Sequence, residues 1–511
     1  MKNFNKYKKP RKLRGLLVTG TILGSMSLYS APAFAQIEEI VVTARKVEEN
    51  LQDVPVSVTA FTGETFERAG LVEFTDIAKI TPNFDARPNG AAGTLFPNLT
   101  IRGQTAGFIT VNTDQAIGIN INGAPITRGT NLFSNLFDVE RIEVLKGPQG
   151  TLFGKNTTGG AINVVTTTPK LGEFSGYGKA TFGNFSRNDY ELVANVPIGE
   201  TTALRLGAAS TNRDGFSPGQ NNAGELTGRE FGDDDELFYK ASLLVSPSDE
   251  LSVRINVDHH TVDETGSPFR ILLGSPLTQT ISDDFLVSAD TNAADPLATA
   301  EETNVNGTVT YDFNNIRFES ITSYRDQEAI TTITQNPFLL INLGQESELF
   351  AQELRLSGRA IADKLQWQVG AFYSDEEGED LDALVPIQNQ LTAAENETIA
   401  IFGQGTYALT DRLNATVGLR YTDEERAVTD VNTGANNEAS FDAVSWLASL
   451  DYKLTEDILT YASVSRGFRS GSIDQDDVGT IVEPEFVLNY EVGFKADLLD
   501  NRLRFNTSAF Y

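Results

Sequence analysis

The chain has 511 residues, with 40 Lys+Arg against 70 Asp+Glu, a formal net charge of −30, two His and no Cys. A chain this acidic repels phosphate unless a basic patch is set apart, which excludes nucleic acid as a partner. Without Cys there can be no thiolate nucleophile, disulfide, zinc finger or iron–sulfur cluster, and such a chain suits an oxidising compartment.

The first residues read as an address. Lys2, Lys6, Lys8, Lys9, Arg11, Lys12 and Arg14 precede an apolar stretch from Gly15 to about Leu28, and Ala33-Phe34-Ala35 follows. That order describes a secretory signal peptide cleaved after Ala35. Cleavage removes seven bases and no acid, so the exported chain is more acidic still. No later apolar run reaches about 18 residues, which excludes helical membrane spans.

From Val54 to about Pro169 the pattern is mixed. Short apolar runs (Pro55 to Phe61, Ile117 to Ile121, Arg141 to Leu145, Ala161 to Val165) alternate with Gly-rich joints, and one helix-like stretch lies around Leu71 to Ile80. From Glu173 onward long alternating strands take over. Leu251, Val253, Ile255 and Val257 are apolar, whereas Ser252, Arg254, Asn256 and Asp258 between them are polar. The segments Leu413 to Tyr421 and Leu365 to Tyr373 alternate in the same way. A period of two puts one set of side chains on each face of a sheet. Tight connections such as Thr410-Asp411 alternate with expected long ones at Glu264 to Ala300 and Glu376 to Glu395, and Tyr373, Tyr421 and Tyr461 stand near strand ends. Together these features predict a transmembrane antiparallel β-barrel preceded by a mixed α+β domain. A large soluble β-sandwich or β-helix is the alternative that periodicity leaves open.

Particular segments resemble the TonB-dependent outer-membrane receptors. Glu38, Glu39, Ile40, Val41, Val42, Thr43 and Ala44 resemble the TonB box of that family. Asp53 to Val58, Leu99 to Gly103, Gly118 to Gly123 and Val139 to Val165 resemble its plug domain, and Asn489 to Lys495 resembles a barrel-strand motif. The resemblance implies a signal peptide over residues 1–35, box and linker over 36–52, a plug over 53–169 and barrel over 170–511. It further implies that Arg102 and Arg141 pair with barrel glutamates, one of them Glu491, to hold the plug in place. The reading of the residues themselves leaves open that both arginines satisfy plug acids such as Glu140 or Glu143.

A family barrel has about 22 strands, whereas about fifteen can be counted here between Glu173 and Tyr511. An incomplete barrel exposes unpaired backbone to lipid, so the chain is expected to be the N-terminal part of a longer protein, with the second barrel glutamate beyond Tyr511.

Other motifs carry less. Gly150 to Asn156 imitates a phosphate loop but is one residue short, and Asn156 stands where a Ser or Thr is needed. His259 and His260 are consecutive on a strand and point to opposite faces, so they cannot chelate together. The acidic run Asp233 to Glu236 lacks calcium-loop spacing and reads as a solvated loop. No catalytic constellation, metal site or cofactor is expected.

The function expected is active import across the cell outer membrane, powered by TonB and its inner-membrane energising complex. The cargo is a scarce nutrient, foremost a ferric siderophore. A passive porin is the principal alternative, and cobalamin or a glycan are alternative cargoes. A ferric chelate needs no protein ligand to iron, so the shortage of His weighs against haem but not against a siderophore.

Overall fold

The computed structural model describes residues 39–71, 74–88, 95–105, 110–129, 136–220, 226–265, 272–273, 280–281, 287–288, 297–336, 339–385, 388–474 and 478–511. The expected signal peptide and Glu38 lie outside them.

The mixed region forms a five-stranded sheet in the order Val58–Thr62, Val139–Lys146, Gly160–Thr166, Ile117–Ile121, Ala124–Ile126. Its apolar runs are the strands expected. Gly160–Thr166 and Ile117–Ile121 pair in parallel, the other neighbours antiparallel. Asn122 and Gly123 turn the last hairpin with φ of 51° and 82°, the positive pair that a two-residue turn of this hand requires. Two short helices cover the sheet. Phe74–Ile80 answers the expected helical stretch, but Gly63–Ala69 was not foreseen. It is only seven residues long, capped by the Thr62 hydroxyl and ended by left-handed Gly70, with Phe66 as its one buried residue. Phe66, Phe74, Ile77, Ile101, Ile117, Ile142, Val144 and Ile162 make the core, each worth about 1.5–3 kcal/mol on burial.

Fifteen antiparallel strands follow in one sheet, in chain order from Ser175–Phe182 to Leu503–Phe510, which are its two edges among the described residues. The alternation seen in the sequence becomes two faces. On Leu413–Asp430, Val417 and Leu419 are 65% and 56% exposed, while Arg420 and Glu424 are buried. On Leu251–Glu264, Ile255 is exposed and Asn256 buried. Apolar side chains outside and polar ones inside reverse the arrangement of a soluble domain, and match a barrel whose outer surface meets lipid. The inner face is covered by the plug: plug residues bond to barrel residues as far apart in the sheet as Arg205 and Glu491. No described helix is long and apolar enough to cross a membrane, which leaves crossing to the strands.

One connection differs from expectation. Glu376 to Glu395 is not a long loop, because Leu365–Val385 and Gln388–Ala408 run almost into each other as strands of 21 residues. That length exceeds the ~9–11 residues needed to cross a bilayer. The surplus carries acids on both faces, Glu377 and Glu379 on the exposed one and Asp380 on the buried one, so the apolar alternation that marks a lipid-facing strand stops while the ladder continues.

Candidate functional site

The expected box is a docked strand. Val41–Val42 pairs antiparallel with Glu49–Asn50, and the Leu51 N–H donates to the Ile40 carbonyl at 2.9 Å. Val42 and Ala44 are buried against Leu51, Val54, Val58, Leu145 and Ala161. The Thr43 N–H and hydroxyl donate to Glu143 Oε1 at 2.8 and 3.0 Å, and Asn50 Nδ2 donates to Glu39 at 2.7 Å. Val41 alone among the apolar box residues is largely exposed.

The next residues are tied to the barrel wall. Lys46 Nζ lies 2.6 Å from Glu353, Gln368 Nε2 donates to the Arg45 carbonyl at 2.9 Å, and Lys495 Nζ donates to the Leu51 carbonyl at 2.8 Å. Burial pulls the Lys46 ammonium down to about 8, against the opposing attraction of Glu353. Beside this segment is a cavity of about 810 Å³ between plug and wall, lined by Lys46, Asn122, Gly123, Arg254, Ile321 and Arg355 among others.

Arg102 meets the barrel at Glu491, with Nη1 2.7 Å from Oε2 and both side chains buried. The Tyr461 hydroxyl donates to the same carboxylate at 2.6 Å, and the Phe510 ring lies 3.9 Å from the guanidinium carbon. Gly147 makes room for Arg102: a Cβ there would come within 2.6 Å of Nη1, and its φ is +87°. Burial, with repulsion from Arg102, lowers neighbouring Lys146 to about 8.

Arg141 is held within the plug. Its Nε lies 2.8 Å from Glu143 and its Nη1 2.8 Å from Glu140. Arg141 and Glu143 are two apart on one strand and share a face, which makes this pairing local. Arg141 thus stands behind the carboxylate that holds Thr43 of the box.

A third cluster was not foreseen. Arg128 is fully buried and bonds Glu376 through Nε and Nη2, both at 2.9 Å, and Asp114 at 3.1 Å; it also donates to the Thr110, Val111 and Thr113 carbonyls. Arg426 joins Asp114 to Glu424, and Lys155 reaches Glu424 at 2.6 Å. The two arginines hold the Asp114 carboxyl well below the usual range. The signal available in the sequence was the row Arg420, Glu424 and Arg426, charges at every second or fourth position on one face of a strand whose opposite face carries Val417, Leu419 and Tyr421.

The remaining motifs resolve simply. Lys155 of the phosphate-loop imitation is committed to Glu424. His259 bonds Thr303 and His260 bonds Glu236, on opposite faces. Asp234, Glu236 and Glu264 bring carboxylate oxygens within 4.8 Å of one another, but Asp234 and Glu236 lie on a strand rather than in the expected loop. Arg187 at 3.4 Å, Arg213 at 4.0 Å and His260 at 3.0 Å stand against these acids.

Comparison with known proteins agrees with this architecture. Residues 50–161 match the TonB-dependent receptor plug domain and residues 259–511 the TonB dependent receptor-like β-barrel. The pesticin receptor of Yersinia pestis is 24% identical over 97% of this chain and 73% of its own length, and that of Yersinia enterocolitica is 24% identical over 88% and 66%. The chain thus spans about two thirds to three quarters of these relatives. Among solved structures, the ferric yersiniabactin uptake receptor from Yersinia pestis superposes with a TM-score of 0.75 at 21% identity, covering 89% of this chain and 72% of that one. The siderophore receptor PiuA from Acinetobacter baumannii gives 0.74 at 18%, covering 90% and 73%.

Proposed function

This chain belongs to the TonB-dependent receptor family, a fold of the outer membrane, and we propose that it is an active importer of a ferric siderophore. The observation that carries the reading is the box strand seated on a plug that fills the barrel lumen. A filled lumen needs an energised event to open it, and an extended apolar strand is a suitable handle, because it can be captured by adding to the edge of another sheet. The alternation of hydrogen-bonded and open pairs along a hairpin supports this: Ile40 and Leu51 are bonded, so the N–H of Val41 points to the opposite, unpaired edge. TonB is the partner proposed for that edge. The ferric chelate is supported by relatives described as receptors for ferric yersiniabactin, ferripyoverdine and ferric preacinetobactin.

The passive porin is disfavoured by the same plug, whose buried ion pairs to the wall cross the lumen at Arg102, Arg128 and Lys46. The deciding experiment is accumulation of radioactive iron from a panel of ferric siderophores by cells that carry this receptor alone, with and without TonB. Uptake that depends on both is expected. Uptake independent of TonB returns the porin reading, and no uptake of any ferric chelate moves the cargo to cobalamin or a glycan.

A further inference from the structure

We propose that Lys46 and Glu353 form a mechanical clamp, which passes the pull on the box into the barrel wall once the box has left its seat and before the plug sheet itself is drawn. Lys46 lies two residues past the box. A pull on the box first unzips the two-residue hairpin, then draws Thr43 from Glu143, and then meets Lys46. The ammonium contacts both oxygens of Glu353, at 2.7 and 2.6 Å, and sits between the rings of Phe153 and Phe402, whose centroids are 5.5 and 5.6 Å away. The pair is nearly dry, with side chains 9% and 7% exposed, so parting it leaves two charges in a poor solvent. Gln368 holds the Arg45 carbonyl just ahead, and Lys495 holds the Leu51 carbonyl just behind. Glu353 is fixed in its turn by Arg355 at 3.1 Å, itself bonded to Glu319 at 2.7 Å.

The clamp has a consequence for passage. Residues Arg45, Lys46, Val47 and Glu48 form one wall of the 810 Å³ cavity, whose other walls are barrel strands, the Asn122–Gly123 turn and plug-sheet residues such as Asn120, Arg141 and Asn163. Releasing Lys46 takes that wall away and widens the cavity before the plug sheet is disturbed. The Lys46–Glu353 pair is a positioning device for the pull and touches no cargo. It deepens the importer reading, yet its test measures force and needs neither cargo nor TonB.

These 511 residues contain no cysteine, so Glu39→Cys supplies a handle on the box side of the clamp that is unique among them. The full chain, reconstituted in bilayers, is pulled from that handle by single-molecule force spectroscopy. The parent is expected to show a first force peak after about 25 Å, the reach of the seven residue-to-residue steps from handle to clamp at about 3.6 Å each, with the plug unfolding later. Lys46→Met should lower that peak at least about twofold and leave the later ones in place, which also shows that the variant is folded. Lys46→Glu alone should lower it too, and Lys46→Glu combined with Glu353→Lys should restore it. The clamp is refuted by a parent trace in which the plug yields with no earlier peak. An early peak that Lys46→Met and Lys46→Glu leave unchanged refutes it equally, since the hairpin or Gln368 would then bear the pull.

Discussion

Arg102 of the plug and Glu491 of the barrel wall stand 2.7 Å apart across the plug–barrel boundary, and neither has appreciable contact with solvent. The carboxylate also accepts from Tyr461, and the guanidinium is covered by Phe510, so the pair is built into its surroundings on both sides. An ion pair this close and this dry is worth on the order of 2 kcal/mol, and losing one partner leaves the other charge buried.

Glu491→Ala is therefore expected to loosen the plug without disassembling the barrel. Urea should release the plug at lower concentration, corresponding to a loss of about 2 kcal/mol, while the heat-modifiable mobility of the barrel stays unchanged. Glu491→Gln, which keeps an acceptor for Tyr461, should lose less. Equal plug stability in all three proteins would mean that Arg102 is satisfied elsewhere.

The Arg128 cluster is expected to hold the plug more firmly than the Arg102 pair. Glu376→Ala removes two of the bonds that Arg128 makes to the wall and leaves it Asp114 and three carbonyls. Breaking a buried ion pair from one side costs about 3–5 kcal/mol, with the remaining partners placing this site near the lower figure. Limited proteolysis around Thr110 to Asp114 should accelerate by about two orders of magnitude at that cost. Asp114 has its folded value depressed, so its contribution is present above the unfolded value near 3.8 and lost only below that. Asp114 thus adds no pH dependence between 5 and 8, whereas Asp380, which accepts from the Val111 N–H and which burial raises from 3.8 to about 6, should weaken the seat as pH rises toward and through about 6, which the same proteolysis can follow.

Much of this was legible because alternation has one cause in such a barrel. Ile255, Val417 and Leu419 meet lipid, and their neighbours face the lumen, so inside and outside could be assigned strand by strand. Arg102 and Glu491 were found through the motifs in which they sit. Arg128, Asp114 and Arg426 were not, because which lumenal charges meet depends on the register between segments separated by up to 312 residues. The extension of the Leu365–Val385 strand beyond the bilayer was hidden for a related reason: where neither face meets lipid, polarity no longer distinguishes ladder from loop.

Lys46 gives the clamp a dependence on pH with two opposite readouts. It is faced by Glu353, Arg355 and Arg420 from the wall, with Arg45, Glu48 and Glu49 on its own segment, and burial outweighs Glu353 to bring it from 10.5 to about 8. Between those values the unfolded chain keeps a proton that the folded one has released, so this group's contribution to stability rises with pH. From pH 7.5 to 9.5 the urea midpoint for plug release should increase in the parent relative to Lys46→Met, which lacks the titration. Over the same interval the charge leaves the clamp and the first force peak should fall. A parent midpoint that stays level relative to Lys46→Met would show that Glu353 keeps the ammonium charged.

Val41→Pro separates an energised importer from a passive channel. Proline removes the backbone N–H of Val41 and fixes φ near roughly −65°. In the docked hairpin Val41 and Asn50 form the open pair between bonded ones, so the substitution takes no hydrogen bond from the hairpin itself. The side chain of Val41 is also exposed, so little packing is lost. What disappears is the one donor that the outer edge offers to an added strand. Cells carrying the variant receptor should bind the ferric siderophore at the surface with near-normal affinity and accumulate little of it, much as cells lacking TonB do. Trypsin cleavage after Arg45 and Lys46 should stay as slow as in the parent, which reports that the box remains docked. If the proline variant imports at the parental rate, the box edge is not where the pull is applied, and passage through the barrel does not depend on strand capture.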